Sequence, residues 1–171
     1  MKYFFTFLFC IGFVGLQAQD CKFETNELDK FTQEKILKSK PAVLWAHKVN
    51  GNNFSVYAHF EGGREWLEFK YLHPESFSFK EGANVIFLFD DSSTLQLPID
   101  KAASSEKTPE MARYTAYFNC TLNSDAFAAL SSKTITDIRI PATEGAIDRA
   151  IAEANRKKLA EVLHCLRQEE K

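Results

Sequence analysis

From Phe54 to His73 the chain alternates with a period of two, broken once by a turn. Phe54, Val56, Ala58 and Phe60 point one way and Ser55, Tyr57 and His59 the other. After Glu61-Gly62-Gly63-Arg64, Leu67, Phe69 and Tyr71 oppose Trp66, Glu68 and Lys70. A strand places successive side chains on opposite faces, so this pattern specifies a hairpin with one buried face. A helical period of 3.6 would scatter the same apolar residues around the cylinder.

The neighbouring segments extend the β reading. A strand is expected near Glu34 to Ser39, and Pro41 interrupts it. Ala42 to Val49 follows, with Val43, Trp45, His47 and Val49 on one face. Asn50-Gly51-Asn52-Asn53 is a hairpin-turn signal, because Asn-Gly accommodates positive φ. Phe77 and Phe79 begin a short edge-like strand. Asn84 to Phe89 is apolar on both faces, which predicts a central strand covered on each side. Thr94 to Ile99 pairs back across the Asp90-Asp91-Ser92-Ser93 turn, and Arg113 to Cys120 forms a strand with Tyr114, Ala116, Phe118 and Cys120 on one side. Asn123-Ser124-Asp125 offers a helix N-cap before a short helix over Ala126 to Leu130. Thr134 to Ile140 returns as a strand. Asp20 to Lys40, outside that first strand, reads as a polar tail that docks on the domain.

The last segment reads as a helix from about Ala146 to Arg167. Ile147, Ile151, Ala154, Leu159, Val162 and Leu166 recur at helical spacing and form one stripe, expected to cover the sheet. Runs of strands followed by a helix indicate the α+β class, with mainly antiparallel strands in a curved sheet or sandwich, a short helix, and a long C-terminal helix packed on it.

The N-terminus has a different character. Lys2 precedes an apolar run from Tyr3 to Leu16, and polarity returns at Gln17 to Asp20. That layout is a secretory signal peptide over residues 1–18, with cleavage expected after Ala18. The run is shorter than the ~20 apolar residues of a membrane-spanning helix. Residues 19–171 then form a single β-rich domain, a size at which one core suffices without disulfides. Removing Lys2 with the signal leaves 20 basic against 23 acidic side chains. Such a balance excludes a strongly basic nucleic-acid-binding domain.

Three cysteines remain in the exported chain: Cys21, Cys120 and Cys165. Export permits a disulfide, and the odd count leaves one thiol over. Cys120 falls on the apolar side of its strand, where a free cysteine acts as a small hydrophobe. Domain termini often lie together, so Cys21 is expected to pair with Cys165.

No catalytic or ligand-binding motif stands out, and no cofactor or metal is implied. His47, His59 and His73 lie in successive strands, but a closed metal site needs three or four convergent ligands and the spacing does not demand one. Asp90 and Asp91 suit the solvation of a turn better than acid–base work. Two functions stay open. The first is a non-enzymatic exported domain binding a protein, a glycan or an apolar ligand in the envelope or outside the cell, its aromatic strand residues lining the contact surface. The second is an extracytoplasmic hydrolase using His59 or His73 with a carboxylate.

Two phrases carry a likeness: Glu27-Leu28-Asp29-Lys30-Phe31-Thr32-Gln33-Glu34-Lys35 with Ser39-Lys40-Pro41, and Asp137-Ile138-Arg139-Ile140 with Ala142-Thr143-Glu144-Gly145-Ala146-Ile147-Asp148. The chain resembles small exported proteins of Bacteroidetes-type bacteria. The resemblance implies a periplasmic or secreted location and a β-rich domain closed by a helix, and it carries over no catalytic residues.

Overall fold

A computed structural model describes residues 21–47, 51–108 and 112–170. The signal segment and its cleavage point lie outside the described residues. The chain runs through β1 (Phe23–Leu28), β2 (Lys35–Ser39), β3 (Ala42–Ala46), β4 (Asn53–Glu61), β5 (Arg64–His73), β6 (Ser78–Phe79), β7 (Asn84–Phe89), β8 (Thr94–Pro98), β9 (Ala103–Ser104), β10 (Glu106–Thr108), β11 (Arg113–Thr121), α1 (Ser124–Ser132), β12 (Ile135–Ala142), β13 (Gly145–Ala150) and α2 (Lys158–Glu169). All pairings are antiparallel, and the class is α+β.

The first sheet has the order β1-β2-β4-β5-β11-β10, with β3 also on β4. Its centre is the hairpin legible in the alternation: β4 and β5 pair without a break from Asn53↔Leu72 to Glu61↔Arg64. Gly62 and Gly63 close it with φ of 54° and 78°. Two consecutive positive φ values are the signature of a two-residue turn that matches strand twist. β2 and β3 follow one another along β4, β2 against its C-terminal end and β3 against its N-terminal end. At the break the Ala58 N–H donates to the Ser39 hydroxyl at 2.9 Å, so a buried side chain replaces the ladder partner where Pro41 interrupts the strand.

The second sheet centres on β12. Ile138 pairs with Phe87 of β7 on one side and Arg149 of β13 on the other, while β6 meets β12 at Ala142↔Phe79. β8 pairs with β7 and β9 with β6. The two sheets share a buried aromatic core. Phe69 stacks between Phe54 and Phe118, with centroids 5.3 and 5.0 Å away. Across the sheets, Phe79 lies 4.4 Å from Phe118 and Phe87 lies 6.3 Å from Phe69. The helices complete the core, α2 beside β2, β3 and β4 and α1 against α2 and β8. Asn123 caps α1 by accepting from the Ala126 N–H at 2.8 Å. Ala126, Phe127 and Leu130 of α1 and Leu159, Leu163, Cys165 and Leu166 of α2 are buried. The link from Cys120 to Thr134 carries the chain between the sheets, with α1 inside it.

Several expectations are corrected. The long helix does not begin at Ala146: β13 occupies Gly145–Ala150, paired with β12 from Ala142↔Gly145 to Asp137↔Ala150. Thr143-Glu144 makes the turn, Gly145 takes φ 135°, and Arg139 binds Asp148 across the pair through two hydrogen bonds of 2.6 and 2.7 Å. Ile147 and Ile151 are four apart, which suits a helix but equally two same-side positions of a strand and its extension. A short 3-10 turn at Glu153–Asn155 leads to α2, and Ala154 is exposed rather than part of a stripe.

β7 is interior to its sheet, but among the described residues only one of its faces is covered: Val85, Phe87 and Phe89 are buried while Leu88 is 36% exposed. β6 is no edge, because β12 and β9 flank it. In β3 an irregularity between Val43 and Trp45 breaks the expected face: Trp45 pairs with Phe54 of the buried face and Val43 with Ser55. The docking tail contains a true strand, β1, paired with β2 from Phe23↔Ser39 to Leu28↔Lys35. Backbone pairing makes that strand despite its polar side chains.

Cys21 and Cys165 form a disulfide with Cα atoms 5.4 Å apart, and Cys120 is free and buried. Among the described residues no helix is long and apolar enough to cross a membrane.

Candidate functional site

The face of the first sheet turned away from the core carries a mixed aromatic and charged array. Register fixes its rows. His59 lies between Lys38 and Trp66, Tyr57 is followed by Glu68 and Asn119, and Ser55 by Lys70 and Tyr117. These are the residues that alternation points outward, so the hairpin that builds the core also builds this surface.

The array is tightly paired at its centre. Lys38 Nζ lies 3.2 Å from Glu68 and 3.7 Å from Glu24, and 4.5 Å from the Tyr57 ring centroid. Burial disfavours the Lys38 charge, but its hydrogen bond to Glu68 and the two carboxylates outweigh that and raise its pKa. Burial likewise raises the Tyr57 phenol. The His59 ring stacks on Trp66 at 4.8 Å, and its Nε2 is buried without a hydrogen-bond partner. Burial pulls its pKa down to about 4, only partly offset by Glu68. The 3.8 Å approach of His59 to Glu68 is therefore a contact of a neutral imidazole near pH 7. A base so weak accepts a proton poorly at that pH.

The open part of the face lies around Tyr117, whose side chain is half exposed. Lys70 sits over its ring at 5.5 Å. The segment after β8 passes beside β11, held where the Asp100 N–H donates to the Asn119 carbonyl at 2.9 Å and where Asp100 accepts from the Thr121 N–H at 3.1 Å. It returns to pair at Glu106↔Thr115. Between these ties it arches away toward the second sheet, and a hollow opens on each side of Tyr117. One, of about 550 Å³, is lined by Lys70, Ser104, Glu106, Lys107, Thr108 and Thr115. The other, of about 280 Å³, is lined by Glu68, Asp100, Lys101, Ala103 and Asn119. Tyr117 stands in the wall of both.

The residues singled out by sequence fall in separate places. His59 belongs to the stacked array. His73 lies at the far end of β5, where its Nδ1 accepts from the Glu75 N–H at 3.3 Å and its ring stacks near Tyr71. His47 lies beside Trp45. Asp91 accepts from Ser93 and binds Lys133 at 2.9 Å; these hydrogen bonds hold its carboxyl far below the usual range, on an exposed turn tied to the end of α1. Among the described residues no group of three His, Cys, Asp or Glu side chains is placed to hold a metal ion. Sequence reasoning did not reach Tyr117 as a contact residue. Alternation in β11 points it outward, but no local signal shows that the partner segment departs beside it. No family model, no curated protein and no solved structure matches this chain.

Proposed function

We propose that this protein is an exported, non-enzymatic binding domain whose ligand is a glycan, seated over Tyr117. The observation that carries the proposal is the half-exposed Tyr117 ring standing between two polar hollows. A pyranose ring offers an apolar C–H face and a rim of hydroxyls. An exposed aromatic ring covers the former, and amphipathic aromatics suit contacts that are apolar on one side and wet on the other. Glu68, Asp100, Asn119 and Lys70 supply acceptors and donors for the rim. Hollows on both sides give room for neighbouring sugar units. His59, stacked on Trp66 and neutral near pH 7, is a poor proton acceptor there, which favours binding over hydrolysis. The disulfide, which persists in oxidising compartments, and the apolar leader support export.

The test is binding of the purified domain to an array of bacterial, plant and animal polysaccharides, beside Tyr117→Ala. The wild type is expected to retain a subset of the glycans. The variant should lose about tenfold or more in affinity, the scale of a lost aromatic anchor. Absence of any retained glycan, or an unaffected variant, refutes the proposal.

A further inference from the structure

A further cavity, of about 240 Å³, opens where the end of β5 faces the β12–β13 hairpin. It is small beside the ~300–1,000 Å³ of drug-sized sites, so it suits only a small molecule. Tyr71 lies on its wall, fully buried; its hydroxyl makes no well-formed hydrogen bond, and its polar neighbour is Arg149, which counters the burial that raises the phenol's pKa. The Nε of Arg149, also on the wall, is buried and makes no well-formed hydrogen bond either. Arg149 is held in place by its contact over the Trp45 ring at 4.6 Å and by its donation to the Asp148 carbonyl at 2.8 Å. A buried donor without a well-formed bond is costly, and here a phenol and a guanidinium stand side by side on one cavity wall. Phe77 and Ile147 give it an apolar side. Glu75 and Glu144 also line it and are exposed, so its negative charge lies at the mouth. Glu144 is kept ionised by hydrogen bonds from the Thr143 hydroxyl at 2.7 Å and the Ser78 N–H at 3.4 Å.

Donors at the floor and carboxylates at the mouth define a dipolar site. We propose that this cavity binds a small zwitterion, an α-amino acid, with its carboxylate accepting from Tyr71 and Arg149, its ammonium facing Glu75 and Glu144, and its side chain against Phe77 and Ile147. A plain anion meets the two glutamates at the entrance, and a plain cation meets Arg149 at the floor. The two charges of an amino acid answer both.

The site is separate from the Tyr117 face and is tested separately. L-Leucine, acetate and ethylammonium are titrated into the full domain while backbone amide resonances are followed. L-Leucine is expected to shift the amides of Tyr71, Ile147 and Arg149 saturably, with acetate and ethylammonium at least about tenfold weaker, the scale of one lost charge-assisted interaction. Tyr71→Phe, which keeps the ring and removes the hydroxyl, should weaken L-leucine by about tenfold. Glu144→Gln, on the exposed rim, should weaken L-leucine and spare acetate. Tyr117→Ala should change nothing. The proposal is overturned if L-leucine gives no saturable shift, which makes the cavity a water site, or if acetate binds as well as L-leucine. It is equally overturned if a folded Tyr71→Phe or Glu144→Gln binds L-leucine unchanged.

Discussion

His59 approaches Glu68 to 3.8 Å without forming an ion pair, because burial against Trp66 keeps the imidazole neutral. Its folded pKa of about 4 lies below the usual 6.5. Between these values the unfolded chain binds the proton that the folded chain refuses. Stability from this group is therefore complete above about pH 6.5 and declines as pH falls toward 4, with a limiting slope of ~1.4 kcal/mol per pH unit. Denaturant midpoints from pH 7 to 4 should fall for the wild type and less steeply for His59→Gln. A histidine NMR titration with a midpoint near 6.5 for His59 would remove the effect.

The Cys21–Cys165 bond spans 144 residues. Chain-entropy reasoning assigns such a loop roughly 4–5 kcal/mol, and native bridges removed from small domains typically cost about 2–5 kcal/mol. Cys165→Ser should lower stability by an amount in that range, and dithiothreitol should do the same to the wild type. Peptide mapping without reductant should show Cys21 joined to Cys165 and no other bridge. An equal melting temperature with and without reductant would contradict this.

Cys120 is fully buried, and desolvation, with Asp100 adding to it, pushes its thiol far above the ordinary range. The thiolate is the reactive form, so the native protein should resist a disulfide reagent such as Ellman's at pH 8. Addition of denaturant should then release one reactive thiol per chain. Rapid labelling of the native state would show that the core opens at β11.

Ile151 is 1% exposed at the end of β13, where its N–H donates to the Thr136 carbonyl at 2.8 Å. Ile151→Ala should cost about 2–5 kcal/mol, the range for truncating a buried aliphatic side chain. Ile151→Asp should cost more, because it places a charge in that space. Thermal unfolding checks both, and an unchanged Ile151→Asp would mean the site is open to water.

What the sequence made legible is what local pattern determines. The alternation over Phe54 to Tyr71 identified the β4–β5 hairpin and its buried face, and Asn123 marked the start of α1. The failures share a cause. β1 has too few apolar side chains to announce itself, and its existence depends on β2 offering an edge. Ile147 and Ile151 satisfy two periods at once, so the choice of strand over helix rests on β12 lying free to pair with β13. Leu88 and Ile86 read as buried because apolar residues usually are, yet no described element covers that face of β7. The surface around Tyr117 depends on where residues 101–105 leave β11, and the setting of the Tyr71 hydroxyl depends on Arg149, 78 positions later. Contacts between distant segments leave no periodic trace.

The disulfide also governs how the domain answers force. Tension entering before Cys21 and leaving after Cys165 runs through the sulfur–sulfur bond and bypasses every hydrogen bond between them. In the oxidised state the fold is mechanically short-circuited: a stretched molecule should reach full extension without an unfolding peak from the domain. Reduction transfers the load onto β1 and α2 and frees 144 residues of slack, at roughly 3.3–3.6 Å each. The redox state of one covalent link thus sets whether this chain behaves as an inextensible tether or as a spring.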